Sequence, residues 1–275
     1  MRIMISADME GATGVTWTAD VAIGTPEWQR LRPVFTGDVN ACITGLYAGG
    51  ATSVLVNEAH STQRNILLED LDPRAVMLTG KHKPLSMMQG IDSGLDGVVF
   101  LGYHTAAGLD GVLSHTYLPN QITGVWLDGT RASEGRLNAA LAAEHGVPVL
   151  LVTGDNLTCD DANDYAPHAT TVAVKECVSR YAAICKPPAI TAQEITTAAT
   201  TAMTHAGRTT ATTTPHRIEV EFDASHLAAA AAVIPTVDQI DIRTVGFNAT
   251  TMTDAMKAFK IVTAIASGAV EGSYG

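Results

Sequence analysis

The sequence predicts an α/β protein: a mostly parallel sheet with helices on both faces, plus a smaller α+β C-terminal domain. Three observations point there. Near-continuous apolar runs alternate with helical patterns through the first part of the chain, the pattern of parallel strands buried on both faces. Beyond Pro187-Pro188 the composition shifts to Thr and Ala, and a run of strict alternation then appears at 217–222, as in a half-buried strand. The expected division is therefore 1–188 for the α/β domain and 189–275 for the smaller one.

Taken in order, Arg2 to Ala7 is a strand that runs into the acids Asp8 and Glu10. Val39, Ile43 and Leu46 share one helical face and Gly49-Gly50 stops it, so a helix is expected from about Gly37 to Tyr47. Strands follow at Ser53 to Asn57, Gly97 to Gly102 and Ile122 to Leu127, then a helix from about Ser133 to His145 and a strand from Val147 to Thr153. In the Thr/Ala-rich stretch, Ile195, Ala198, Ala199 and Ala202 keep helical spacing, and Thr209 to Pro215 reads as a loop. Arg217 to Phe222 is the alternating strand, Leu227 to Val233 a helix, Asp241 to Phe247 a strand, and Met252 to Ala266 a closing helix. No internal repeat is present.

Composition narrows the function. The chain has 275 residues, 46% hydrophobic and 16% charged, enough to bury a sizeable core. Its 17 basic against 28 acidic residues give a net charge of -11. That balance offers no dense basic face for phosphates and repels anionic membranes, so neither nucleic acid nor membrane is expected as a partner. The N-terminal apolar stretch is too short for a signal h-region. The cysteines Cys42, Cys159, Cys177 and Cys185 form no CxxC pair. Free thiols in a cytoplasmic protein are expected.

Three strands end in groups that can bind metal. Asp8 and Glu10 are two apart, so an extended chain aims both carboxylates to one side. The second strand ends in Asn57-Glu58-Ala59-His60 and the third in Gly102-Tyr103-His104. Ligands of open α/β sheets lie beyond the carboxyl ends of strands, where groups distant in sequence converge. Each piece alone is non-specific, because an acid after a strand is more often a cap or a solvated turn.

Ser6-Ala7-Asp8-Met9-Glu10-Gly11 resembles the SxDxEG signature of the D-aminopeptidase family typified by the bacterial dipeptide-operon enzyme, peptidase family M55. The likeness continues through Val54 to Ser61, Phe100 to His104, Gly111 to His115, Gly135 to Ala139, Pro148 to Asp155 and Val172 to Lys175. It implies a binuclear centre of two Zn2+ per subunit with Asp8, Glu10, His60, His104 and Glu134 as ligands, and His115 as the catalytic histidine. It also implies a zinc aminopeptidase of short peptides, D-Ala-D-Ala among them, in a homo-oligomer such as a decameric ring.

Carboxylates and imidazoles are ordinary zinc ligands, and a two-oxygen carboxylate such as Asp8 can bridge two ions. Paired metals suit peptide hydrolysis by activated water. His115 then shuttles a proton or stabilises the tetrahedral intermediate, rather than attacking as a nucleophile. Two residues depart from the family pattern: Glu58 stands for a shorter Asp, and Ala59 for Ser. Asp155 reads as a helix cap or a site residue, and Lys175 as a solvated lysine or a contact to a substrate carboxylate.

Two further readings stand beside the peptidase. A two-metal phosphoesterase or other amidohydrolase uses similar ligands, but the chain has no Gly-rich phosphate loop and no arginine cluster near them. A non-catalytic metal- or peptide-binding protein has no need of His115.

Overall fold

A computed structural model describes residues 1–271. In chain order its strands and helices are β1 (Arg2–Ala7), α1 (Thr18–Val21), α2 (Pro26–Ala48), β2 (Ser53–Glu58), β3 (Ala75–Leu78), β4 (Gly97–Leu101), β5 (Ile122–Leu127), β6 (Thr130–Arg131), α3 (Glu134–Glu144) and β7 (Val149–Asp155). There follow α4 (Asn156–Tyr165), β8 (Thr170–Ser179), β9 (Ala182–Cys185), α5 (Pro188–Ala202), β10 (His216–Phe222), α6 (Ser225–Ala231), β11 (Asp238–Asp241), β12 (Thr244–Ala249) and α7 (Met252–Gly268).

The first sheet has the order β3-β2-β1-β4-β7-β8-β9 and is parallel except for the β8–β9 hairpin. Period-2 geometry sends alternate residues to opposite faces. Ile3, Ile5, Val99 and Leu101 join one buried cluster with residues of α2 and α5. Met4, Val98 and Phe100 join another with residues of α3, α7 and the second sheet. Both faces are thus covered, and the strands can be apolar throughout. The chain winds outward from β1 through β2 to β3, then returns to β4 on the other side of β1. That reversal is the switch point where α/β sheets hold ligands.

The second sheet is antiparallel, in the order β11-β12-β10-β5-β6. It does not divide the chain at 188/189. β5 and β6 come from within residues 1–188 and pair through β5 with β10, because Ile218 and Val220 bury against Val125 and Leu127. Conversely α5, beyond Pro187, packs against α2 in the core of the parallel sheet.

Other elements exceed their sequence pattern. The expected helix at 37–47 begins at Pro26, where the Thr25 hydroxyl accepts from the Trp28 N–H and proline occupies the first turn, a position that needs no N–H. β3, α4, β8 and β9 carry mixed or short patterns and were not expected. The strand expected at 241–247 straddles the turn of a hairpin: Asp241 ends β11 and β12 begins at Thr244.

The end of β1 lies backbone to backbone against the end of β4. The Gly11 N–H donates to the Gly102 carbonyl at 2.8 Å. A Cβ on Gly11 would stand 1.9 Å from the Tyr103 oxygen, and one on Gly102 2.1 Å from the Asp8 oxygen. Gly102 also has φ +72°, which favours glycine. Two glycines therefore let the segment carrying Asp8 and Glu10 touch the one carrying His104.

Candidate metal centre

All six side chains singled out in the sequence meet at the switch point, and all are buried: Asp8, Glu10, His60, His104, His115 and Glu134. Asp8 and Glu10 follow β1, His60 follows β2, and His104 follows β4. Glu134 is the first residue of α3, whose Ser133 cap accepts from the Arg136 N–H at 3.2 Å. Its position answers why an acid at a helix start can be a ligand: one oxygen, Oε1, accepts from the Tyr117 N–H at 2.7 Å, leaving Oε2 facing His104 at 3.8 Å.

Two sets of ligand atoms overlap. Asp8, Glu10 and His60 form one, Asp8, His104 and Glu134 the other, and within each set the atoms lie within 4.8 Å of one another. Asp8 belongs to both, through Oδ1 at 3.5 Å from His60 Nδ1 and Oδ2 at 3.5 Å from His104 Nε2. A third grouping joins Glu10, His104 and His115.

The histidines fit a cation. Each ties one ring nitrogen to a backbone carbonyl: His60 Nε2 to Val21 at 2.9 Å, His104 Nδ1 to Thr105 at 3.0 Å, and His115 Nδ1 to Leu113 at 2.8 Å. A carbonyl can only accept, so that nitrogen carries the proton. The other nitrogen of a neutral ring then presents a lone pair to carboxylate oxygens. His104 Nε2 is buried with no hydrogen-bond partner. A cation between such lone pairs resolves the conflict, and a carbonyl behind the ring is the usual support of a metal-binding histidine.

The proton affinities follow from this crowding. Burial lowers His60 and His104, but the facing carboxylates outweigh it. Glu10 and Asp8 hold His60 well above the usual imidazole range, and Glu134, Asp8 and Glu10 bring His104 to about 10. Burial raises Glu10, yet His60, His115 and His104 hold it well below the usual carboxylate range. Glu134 rises to about 7, through burial and the nearby Asp8 and Glu10 against the pull of His104. Burial and His104 push His115 down to about 4, so its ring is neutral near pH 7.

Long-range ties shape the walls. The segment between His104 and His115 is pinned by Val112 N–H to the Asp155 carboxylate at 2.7 Å and by Leu113 N–H to the Arg180 carbonyl at 2.8 Å. Asp155 also caps α4, accepting from the Thr158 N–H at 2.7 Å. Lys175 is fully buried and donates to the carbonyls of Glu10, Ala12 and Val15 at 2.6, 3.1 and 2.6 Å. Its ammonium holds the Glu10 loop, so it is not directed to a substrate carboxylate. Glu58 accepts from the N–H groups of Asn65 and Ile66, each at 2.6 Å, and so shapes the turn after His60.

The site opens into a cleft of about 560 Å³. Tyr117, Lys83, Arg180 and Lys260 also line it, and nothing in the local sequence marked them. Only Tyr117, two residues past His115, was close to a residue already singled out.

A family model described as D-aminopeptidase, peptidase M55, matches residues 1–261. The chain belongs to the D-aminopeptidase family. A curated family relative, the D-aminopeptidase of Bacillus subtilis (strain 168), is 34% identical over 269 residues, covering 97% of this chain and 98% of the relative. A solved family structure, described as the Zn-dependent D-aminopeptidase DppA from Bacillus subtilis, a self-compartmentalizing protease, aligns with TM-score 0.94 and 32% identity over 100% of both chains. Family membership makes this chain a peptidase, a hydrolase of peptide bonds. The six buried side chains are positioned by the fold that the solved relative shares.

Proposed function

We propose that this protein is a zinc-dependent aminopeptidase that hydrolyses the N-terminal bond of short peptides, including those of D-residues such as D-Ala-D-Ala. Asp8, Glu10, His60, His104 and Glu134 are the residues that would hold the two zinc ions. The observation that carries this reading is the pair of overlapping ligand sets that meet at Asp8. Bound zinc supplies Lewis-acid polarisation of the scissile carbonyl and activation of water.

His115 is the proton carrier. Its Nδ1–H is fixed by Leu113, so Nε2 is the atom that accepts a proton from the attacking water and returns it to the leaving amine. Its stacking on His104 holds the ring in place, with centroids 4.1 Å apart. The substrate amine is drawn by the carboxylates of the site, which limits cleavage to the first peptide bond.

Self-assembly belongs to the same reading and is supported by the likeness to a self-compartmentalizing relative; a homo-oligomeric ring, decameric in its expected form, would restrict access to short peptides. Among the described residues no helix is long and apolar enough to cross a membrane. The four free cysteines suit a cytoplasmic setting.

The test is zinc content together with hydrolysis of D-Ala and L-amino acid p-nitroanilides and dipeptides. We expect about two zinc ions per chain and turnover of the peptides. A protein that bound no divalent metal, with activity unaltered by Asp8→Ala, would sink the proposal. Turnover of phosphate esters alone would sink the peptidase part.

A further inference from the structure

The net charge of the chain is -11, yet four cations line the cleft: Lys81, Lys83, Arg180 and Lys260. Two are engaged by the protein. Lys83 is buried and donates to Asn57 Oδ1 at 2.5 Å and the Glu58 carbonyl at 2.6 Å, while Lys260 donates to the Lys83 carbonyl. Lys81 is exposed, where an ammonium is well hydrated.

Arg180 differs from all three. It sits in the turn between β8 and β9, half-buried, and its Nε is buried with no hydrogen-bond partner. No carboxylate among the described residues pairs with it. A buried guanidinium N–H without an acceptor is costly unless a ligand satisfies it. Its place relative to the chemistry is set by the backbone: the Arg180 carbonyl accepts from the Leu113 N–H, and the Leu113 carbonyl accepts from His115 Nδ1. Arg180 and His115 thus flank one residue, held in a left-handed conformation at φ 53°.

We propose that Arg180 binds the free C-terminal carboxylate of the peptide substrate. This rests on the aminopeptidase reading. A short peptide is a zwitterion with an amine at one end and a carboxylate at the other. The carboxylates Asp8, Glu10 and Glu134 and a guanidinium with no carboxylate partner, which lies 5.6 Å from the Tyr181 ring centroid, line the same cleft, so the cleft offers a charge complement to both ends of one small molecule. A planar guanidinium forms paired, charge-assisted hydrogen bonds to a carboxylate. Arg180 is therefore a specificity determinant: it favours peptides whose carboxylate lies within reach, and disfavours longer or amidated ones.

The experiment compares kcat/KM for D-Ala-D-Ala and for its C-terminal amide, using zinc-loaded full-length wild type, Arg180→Gln, Arg180→Lys and Lys81→Gln. Wild type should prefer the free acid. Arg180→Gln should lower the acid-to-amide ratio by about tenfold or more, chiefly through KM, as expected for loss of a charge-assisted contact. Arg180→Lys should restore part of the preference, and Lys81→Gln should leave the ratio unchanged. An active Arg180→Gln enzyme with an unaltered ratio overturns this inference alone, as does a ratio that falls only in Lys81→Gln. Wild type inactive on both compounds overturns the proposed aminopeptidase action on D-Ala-D-Ala and this inference with it.

Discussion

His104 and His115 stack with their planes 8° from parallel and centroids 4.1 Å apart, yet their proton affinities are driven in opposite directions. His104 faces Asp8 and Glu134 and rises to about 10, while burial and the His104 charge push His115 to about 4. Two adjacent imidazoles are thereby separated into one that a cation can replace a proton on, and one that stays neutral. The predictions below depend on that separation.

Asp8 is common to both ligand sets and Glu134 to only one. Asp8→Ala should lose most bound zinc, and Glu134→Ala about one ion per chain. Both should lower kcat/KM by roughly a thousandfold or more, as expected when metal activation of water is lost. Zinc analysis by mass spectrometry after gel filtration distinguishes them; equal zinc content in the two variants would contradict a shared Asp8.

His115→Gln should leave zinc content unchanged and lower kcat by about 10²–10⁴-fold, the usual contribution of a positioned acid–base. Loss of one zinc ion in this variant would instead make His115 a ligand, through the grouping with Glu10 and His104.

Chelated protein should lose stability as pH rises from about 7 to 8. The folded-state affinities of His60 and His104 lie above the ordinary imidazole value, His104 at about 10. Through these two histidines the folded state binds more protons than the unfolded state; Lys83 and Lys175, lowered by burial to about 8, act in the opposite direction above that pH. The histidines' contribution is complete below the unfolded value and disappears as pH passes the folded one. Zinc replaces those protons, so the loaded protein should show a flatter profile and zinc uptake near pH 7 should release protons. Urea titrations with and without chelator, and proton release measured in weak buffer, check both.

Lys175→Met removes an ammonium that three carbonyls accept from. Leaving those buried acceptors unpaired should cost about 3 kcal/mol or more. The Glu10 carbonyl is one of them, so zinc affinity should fall along with stability. Thermal unfolding of zinc-loaded and chelated variants measures each effect; a stable variant with normal zinc affinity would refute a positioning role.

Much of this was legible in the chain. Strands covered on both faces are apolar along most of their length, so β1, β2 and β4 stood out, and the acids and histidines just past them were candidates. Other elements were hidden because their stability comes from partners distant in sequence. The edge strand β3 has a half-exposed pattern, and α4 is rich in polar residues and begins with a cap that also serves another loop. Arg180 and Tyr117 carried no local signal, since their relevance lies in which cleft they line.

By itself the sequence determined the alternation of apolar runs and helices, the pair Asp8 and Glu10 at a strand end, and membership of a family through motifs spread over most of its length. Tertiary structure decided the rest: that Asp8 belongs to two candidate ligand sets, that each histidine of the site is braced by a carbonyl, and that β5 and β6 join the second sheet. The physical reason is range. Strand periodicity and turn chemistry act over a few neighbours and are written locally. Metal-sized gaps, proton affinities and sheet membership depend on groups 50 or more residues apart, such as Glu10 and His60, brought together only when the core closes. The two carboxylates converge past β1 although the chain has already turned at Met9 and Glu10; what the fold added was the set of neighbours that makes Asp8 the point where two candidate ligand sets meet.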